Sequence, residues 1–207
     1  MVRKGEMTEQ TTTPAAAEPP RAMRADARRN RERILSAARE LFATDAHGTS
    51  TDDICHRANV GPGTLYRHFS SRTELMAVVH LADLEALTNR AHGLTRTQPG
   101  WPALQQWLTE YLDYCQNNRG LLAELDHLLR TEPELNATVA QRTAAAADTA
   151  VAHAQHAGAV DPELAGTDLL QFIYGMVLPP DADQARNSYQ LDIILTGIRK
   201  SDSHGER

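Results

Sequence analysis

The chain has 207 residues, 41% of them hydrophobic, which is near the norm for globular proteins and enough for a sizeable core. It has no apolar run of about 18 residues and no basic-then-apolar N-terminal segment, so we expect neither a membrane span nor a secretory signal. The net charge of −6 is uneven: residues 1–75 hold 12 basic and 10 acidic side chains, and residues 76–207 hold 9 and 17. Because phosphate binding depends on local basic density, only the N-terminal part suits nucleic acid.

Residues 1–27 are predicted to form a flexible basic arm. The first 20 residues are rich in Thr, Ala, Pro and Glu and cannot bury enough apolar surface to become ordered. Arginine is concentrated just after them, since residues 21–33 contain Arg21, Arg24, Arg28, Arg29, Arg31 and Arg33 against Asp26 and Glu32. Such a run is usually solvated surface, so by itself it does not establish DNA binding.

Three short helices are predicted next. The first begins at Arg28 and ends before His47-Gly48, and its single apolar stripe contains Ile34, Ala38, Leu41 and Phe42. The second begins near the N-cap candidates at residues 49–51 and ends at Asn59, a residue type that tolerates the left-handed conformation. The third opens with Gly61-Pro62-Gly63 and turns Leu65 and Phe69 inward.

The rest of the chain also has a helical period. A fourth helix begins after Ser70-Ser71, ends near Gly93 and is predicted to bury Leu75, Val79 and Ala82. Helical patterns follow over residues 104–129 and 134–156, then in a helix capped by Asp161-Pro162 that reaches residues 179–180, and last over about 183–199. No alternating strand pattern and no internal repeat occurs. We therefore predict an all-α protein of about nine helices.

The tight turn between the second and third helices predicts a helix-turn-helix, in which the third helix enters the major groove of DNA. The outward side chains of the third helix can all donate hydrogen bonds, and they are Thr64, Tyr66, Arg67 and His68. The backbone at Gly61 and Gly63 can approach phosphates because no side chain intervenes. An ordinary three-helix packing with a polar outer face remains the alternative.

Residues 51–69, which read TDDICHRANVGPGTLYRHF, closely resemble the N-terminal signature of the TetR family of regulators. Residues 70–75 resemble that family's link into its fourth helix, and the stripe of the first helix also matches, so the resemblance covers about residues 28–80. The departures from the family pattern are small. They are Ala46 and Asn59 in place of glycine, Cys55 in place of alanine, Ser70 in place of proline and Arg72 in place of lysine.

This resemblance implies a helix-turn-helix DNA-binding domain over residues 28–72. Contacts with phosphates or bases are expected from the third helix, through Pro62, Gly63, Thr64, Tyr66 and His68. Arg28, Arg29 and Thr51 are expected to grip the flanking backbone, and Arg72 is assigned to the same DNA-binding set. Arg67 suits a bidentate contact with guanine, but it can equally clamp a phosphate.

The resemblance also implies a ligand-binding and dimerisation domain over residues 73–200, followed by a disordered tail at 201–207. In the family the last two helices pair across a two-fold axis, and the stripes assigned to that interface are Leu169, Ile173, Met176, Leu191, Ile194, Leu195 and Ile198. A purely intramolecular core is the alternative. A dimer would hold two reading helices about one DNA turn, roughly 34–36 Å, apart on a palindrome.

Aromatic and mixed-polarity residues of the C-terminal half predict a pocket for an apolar or aromatic effector. They are Trp107, Tyr111, Tyr114, His127, Phe172 and Tyr174, although each can instead be plain core. Cys55 and Cys115 are predicted to be buried thiols. His153 and His156 have no third ligand nearby in sequence, so we expect no metal and no cofactor besides the small-molecule effector.

These features predict a cytoplasmic homodimeric repressor, associated with the nucleoid when bound to DNA, that a small molecule releases from a palindromic operator. Two other readings of the same fold stay open, namely a ligand-independent DNA-binding or protein-interaction module and an activator. An enzyme is disfavoured because the sequence contains no Gly-x-Ser-x-Gly elbow, no His-Glu-x-x-His and no phosphate-cradling glycine loop.

Overall fold

The computed structural model of the chain describes residues 21–179 and 181–200, with side chains from residue 25 onward. These residues form nine helices and no strand, which confirms the all-α prediction. The helices are α1 (Arg21–Asp45), α2 (Thr51–Ala58), α3 (Pro62–His68), α4 (Arg72–Thr97), α5 (Gly100–Asn117), α6 (Arg119–Thr131), α7 (Pro133–His156), α8 (Gly166–Val177) and α9 (Gln184–Ile198). Across the described segments, no helix is both long and apolar enough to cross a membrane.

Three predicted boundaries differ from the structure. Helix α1 begins at Arg21, so residues 21–27 of the predicted flexible arm are helical; residues 1–20 and the predicted tail at 201–207 lie outside the described residues. Helix α4 continues past Gly93 to Thr97. Helix α8 begins at Gly166 and not at Asp161-Pro162, because Asp168 accepts a hydrogen bond from the Ala165 backbone N–H at 3.2 Å and so caps the helix later.

Local capping chemistry fixes the turn between α2 and α3. The Ser50 hydroxyl accepts from the Asp53 N–H at 3.1 Å, and the Asp53 carboxylate accepts from the Ser50 N–H at 2.9 Å, so α2 begins with a reciprocal capping box. Asn59 ends α2 with φ 50° and ψ 53°, which is the left-handed conformation predicted for it. The Val60 N–H then donates to the Cys55 carbonyl at 3.0 Å, and the chain turns directly into α3.

One hydrophobic core joins the helix-turn-helix to the C-terminal half. Its centre contains Ile34, Phe42, Ile54, Leu65 and Phe69, with Leu75 and Val79 of α4. Leu121 and Leu125 of α6 are fully buried in the same core. The sequence boundary at residue 72 therefore does not separate two independent cores, since α6 is shared.

The second core surrounds α7, which packs against α4, α5 and α8. Its buried residues include Ala146, Ala147, Ala150 and Ala154, and these small side chains let neighbouring helices approach closely. At Gly100 a Cβ atom would lie 2.7 Å from the Cβ of Ala157, so α5 can begin against the end of α7 only with glycine there. Cys55 and Cys115 are buried free thiols, as predicted.

Candidate functional site

Helix α3 presents a polar outer surface on a buried base. Leu65 and Phe69 are buried, whereas Pro62, Gly63 and the Arg67 side chain are exposed. Tyr66 is 52% exposed, and Thr64 and His68 are half-buried. A Cβ atom at Gly61 or Gly63 would meet nothing within 4 Å, so the backbone at the start of α3 is open to a large partner.

Helices α1 and α2 add to the surface around α3. The Tyr66 hydroxyl lies 3.3 Å from the Thr51 Oγ1 atom, which places the start of α2 beside α3. Arg28 and Arg29 are exposed and form only loose ion pairs, at 3.6 Å with Glu32 and at 3.7 Å with Asp26. Exposed pairs of this kind contribute little to stability, so both guanidinium groups remain available for phosphates.

Two other arginines lie on or beside α3. Arg31, for which no separate role is predicted, places its guanidinium 5.3 Å from the ring centroid of Phe69 at the end of α3. Arg67 donates from Nε to the Gly63 carbonyl at 3.2 Å, along its own helix, and its side chain is otherwise exposed. The arginine-rich run at 21–33 was the only signal for Arg31.

The structure gives Arg72 partners within the chain and does not place it with the exposed side chains around α3. Its guanidinium points inward, where Nε donates to the Thr49 carbonyl at 3.0 Å and Nη1 to the Glu124 carboxylate at 2.7 Å. It also donates to the Ala46 carbonyl and lies 5.3 Å from the ring centroid of Phe42. Arg72 therefore ties the α1–α2 loop and the start of α4 to α6.

Four of the predicted ligand-binding residues cluster in the C-terminal core. Trp107 is buried, donates from Nε1 to the Leu87 carbonyl at 3.1 Å and stacks on Tyr111 with ring centroids 5.3 Å apart. Tyr114 lies beside Tyr111 with centroids 6.3 Å apart, and burial with nearby polar groups, Tyr174 among them, holds the pKa of Tyr111 well above its usual value. The structure thus brings residues of α5 and α8 together as predicted.

The other two predicted ligand residues do not join this cluster. Phe172 lies on the outer face of α8 and is 54% exposed, so it cannot line an internal pocket. His127 is exposed on α6, where it lines a separate cleft of about 580 Å³ together with Met76 and Glu124. Helical periodicity alone did not separate these faces.

His80 of α4 belongs to the cluster but was missed by the sequence analysis, which placed Ala82 in the inward stripe. His80 is 1% exposed, whereas Ala82 is half-buried. The Nδ1 atom of His80 and the Tyr114 hydroxyl share a hydrogen bond of 2.6 Å. A histidine in an apolar stripe carries no sequence signal that distinguishes a paired core residue from a solvated one.

Burial lowers the pKa of His80 to about 4. The unfolded chain, with an ordinary histidine pKa near 6.5, therefore binds the proton more readily, and stability falls as the pH drops from 6.5 towards 4. We expect His80 to account for a loss of about 2 kcal/mol of unfolding free energy between pH 7.5 and pH 5. Urea unfolding at several pH values should show this pH-dependent loss absent in His80→Gln and retained in His92→Gln, a substitution at an exposed histidine of the same helix. The same dependence of unfolding free energy on pH in both variants would contradict the role of His80.

Four residues of the predicted dimer stripes are already covered within the single chain. Leu169, Ile173, Leu191 and Leu195 are at most 4% exposed in the single chain and pack in its own core. The remaining three, Met176, Ile194 and Ile198, are half-buried against that core. The most regular apolar stripes of α8 and α9 therefore pack within the core of the single chain.

A different apolar face of α8 and α9 is exposed. Phe172, Tyr189 and Ile193 are each more than half exposed and account for three of the four exposed large hydrophobic side chains in the described residues; the fourth is Tyr66 of α3. Exposed large apolar side chains on two helices that pack against each other favour a protein contact surface. We call Phe172, Tyr189 and Ile193 the outer apolar face.

Comparison with known proteins identifies both halves of the chain. Residues 34–79 match the model of bacterial regulatory proteins of the TetR family, and residues 99–200 match the model of the C-terminal domain of SbtR-like transcriptional regulators. The regulator UidR of Escherichia coli K12 is 42% identical over 64 residues, which are 30% of this chain and 33% of UidR. The alignment thus spans about a third of that relative.

Solved structures agree over most of the chain. The TetR transcriptional regulator SCO0520 of Streptomyces coelicolor superposes with a TM-score of 0.66 and 26% identity, over 83% of this chain and 99% of that one. A TetR regulatory protein of Mycobacterium vanbaalenii gives a TM-score of 0.64 and 25% identity, over 86% and 99%. The structural similarity therefore extends over most of the chain.

Proposed function

Because the chain belongs to the TetR family of transcriptional regulators, we propose that it is a homodimeric repressor that a small molecule releases from a palindromic operator. The family consists of DNA-binding regulators with a helix-turn-helix, not of enzymes. The observation that carries the proposal is α3, a short helix with a buried base, an open glycine-flanked start and exposed Tyr66 and Arg67.

The outer apolar face supports the dimer. Two copies related by a two-fold axis would each cover the other's Phe172, Tyr189 and Ile193, which makes a self-complementary contact. A helix as short as α3, with seven residues, reads few base pairs, so a pair of such helices gives the specificity that one lacks.

The shared helices α4 and α6 suggest how ligand binding is transmitted. Helix α4 contributes Leu75 to the N-terminal core and Leu94 to the C-terminal core, and α6 contributes Leu121 to the former and Leu122 to the latter. A ligand that favours a shifted position of these helices would move α3 out of operator spacing. A tenfold loss of operator affinity needs only about 1.4 kcal/mol of preference for the shifted state.

Selection of duplexes from a random library with the purified full chain tests the proposal. We expect enrichment of sequences with two inverted half-sites whose centres lie roughly 34–36 Å apart. Enrichment of a single half-site, or of no sequence, would contradict it.

Replacing Tyr66 by alanine tests the role of the α3 surface. We expect affinity to fall about tenfold for selected and unselected duplexes alike, because a hydrogen bond to phosphate carries no base information. Stability should change little, since the ring is largely exposed. Fluorescence anisotropy would measure both affinities, with Tyr66→Phe isolating the hydroxyl; unchanged binding by Tyr66→Ala would contradict the role.

A further inference from the structure

The cluster in the C-terminal core is made of neutral polar groups. His80 is uncharged at pH 7 because burial lowers its pKa, and burial raises the pKa of the Cys115 thiol to about 12. The hydroxyls of Tyr111 and Tyr114 are held protonated in the same way. Within the described residues, the charged groups that affect the pKa of Tyr114 and Tyr174 are themselves paired, Asp83 with Arg39 at 2.7 Å and Asp126 with Arg130 at 2.7 Å.

One hydroxyl of this cluster has no partner. Tyr111 is 1% exposed, and its hydroxyl makes no hydrogen bond with any group of the described residues. Burial is the main cause of the raised pKa of Tyr111, and the neighbouring Cys115 thiol and Tyr174 hydroxyl add to it, but neither meets hydrogen-bonding geometry with the Tyr111 hydroxyl. Since buried hydroxyls are normally paired, an unpaired one indicates a place for a hydrogen-bond acceptor that the chain itself does not supply.

A surface cleft approaches this hydroxyl through Tyr174, which lines the cleft, whereas Tyr111 itself does not. It has a volume of about 250 Å³ and lies between α6, α7 and α8, with Leu170 on its wall and Thr143 and Gln171 among its polar groups. None of the side chains that line it is charged. Tyr174 belongs both to the cleft and to the surroundings of Tyr111, so its side chain separates the two.

We propose that this cleft and the Tyr111 hydroxyl form a site for a neutral, partly apolar molecule whose carbonyl or ether oxygen accepts a hydrogen bond from Tyr111 after displacement of Tyr174. An ionic ligand would lose its hydration among neutral groups without gaining a counter-charge, so the site discriminates against ions. That this site is the effector site rests on the proposed function, whereas binding of a ligand to it can be measured without DNA.

Four benzene derivatives of similar size test the inference: acetophenone, ethylbenzene, benzoate and benzylammonium. The full chain would carry fluorotryptophan at its two tryptophans, Trp101 and Trp107, and fluorine NMR would follow both resonances. Trp107 stacks on Tyr111 and reports on the site, whereas Trp101 lines a different cleft and is the internal control. Trp101→Phe assigns the two signals.

Acetophenone is expected to shift the Trp107 resonance, with a dissociation constant on the order of a millimolar for a molecule of this size. Ethylbenzene should bind about tenfold more weakly because it lacks the acceptor, which is the effect of one lost buried hydrogen bond. Benzoate and benzylammonium should leave the resonance unchanged at the same concentrations. Equal binding of an ion, or no shift with any probe up to its solubility, would overturn the inference.

Tyr111→Phe should remove the preference for acetophenone over ethylbenzene, and Tyr189→Phe, at an exposed tyrosine, should keep it. If Tyr111→Phe fails to fold, Tyr174→Ala supplies the second test, since loss of the separating side chain should strengthen acetophenone binding severalfold. A preference that persists in Tyr111→Phe, or a Tyr174→Ala chain that binds no better, contradicts the site. Because these measurements contain no DNA, a chain that binds acetophenone but no operator would refute the proposed repressor function alone.

Discussion

Ile193→Lys is expected to convert the dimer to monomers and to lower operator affinity at least about 100-fold, because each of the two copies would bury an unpaired ammonium group at the same contact. Ile193 is the α9 member of the outer apolar face and is 54% exposed in the single chain, so the substitution leaves the core intact. Monomers place only one α3 helix on the duplex and lose the contribution of the second half-site.

Sedimentation velocity would measure the oligomeric state of Ile193→Lys, and fluorescence anisotropy its operator affinity. Thr109→Lys is the matched control, since Thr109 is exposed on α5 and the substitution adds the same charge outside the outer apolar face. Its dimer and its operator affinity should both be retained. An Ile193→Lys chain that remains dimeric would show that the outer apolar face is not the interface.

Arg72→Ala is expected to lower the free energy of unfolding by about 3 kcal/mol. The substitution removes donors to the Thr49 and Ala46 carbonyls and leaves the Glu124 carboxylate, which is 24% exposed, without its arginine partner. It also removes the guanidinium from the Phe42 ring. Arg72→Lys should recover only part of the loss, because an ammonium group cannot bond three acceptors in the planar geometry of guanidinium.

Chemical denaturation would measure the unfolding free energy of these variants. Arg67→Ala is the control, because it should affect operator binding and not stability. Arg67 is exposed on α3, so its loss should weaken operator binding and leave the unfolding free energy within about 0.5 kcal/mol of the parent. A loss of less than about 1 kcal/mol in Arg72→Ala would contradict the structural role assigned to that residue.

The helix-turn-helix could be predicted closely because its signals are local. The capping box of Ser50 and Asp53, the left-handed Asn59 and the Gly-Pro start of α3 each depend on side chains within a few residues of one another. Such chemistry acts before any tertiary contact forms, and the structure places these elements where the sequence did.

The direction in which a side chain points, and the partner that covers a helix face, could not be predicted from the same local signals. Arg72 occupies a position assigned to DNA by resemblance, but its partners include Glu124, 52 residues later in the chain. A stripe on α8 or α9 shows that one face is apolar, but it does not say whether the same chain or a second copy covers it. The regular stripes of α8 and α9 are buried in the core of the same chain, whereas the outer apolar face is exposed.

The C-terminal site shows the same limit. Trp107, Tyr111, Tyr114 and Tyr174 were selected by residue type, whereas His80 joined them only through the packing of α4 on α5. Phe172 is of the same type as these residues, but it lies two positions before Tyr174, a rotation of about 200°, and therefore on the opposite, exposed face of α8. Buried polar groups are recognised from their partners, which a sequence does not display.

Titration of a selected palindromic duplex with the full chain at increasing salt concentration tests most directly whether paired α3 helices dock on DNA. We expect two chains per duplex at saturation, and an affinity that falls by about 10³ or more between roughly 50 and 200 mM salt as phosphate contacts are screened. One chain per duplex, or an affinity that does not respond to salt, would contradict the docking of two basic α3 surfaces side by side.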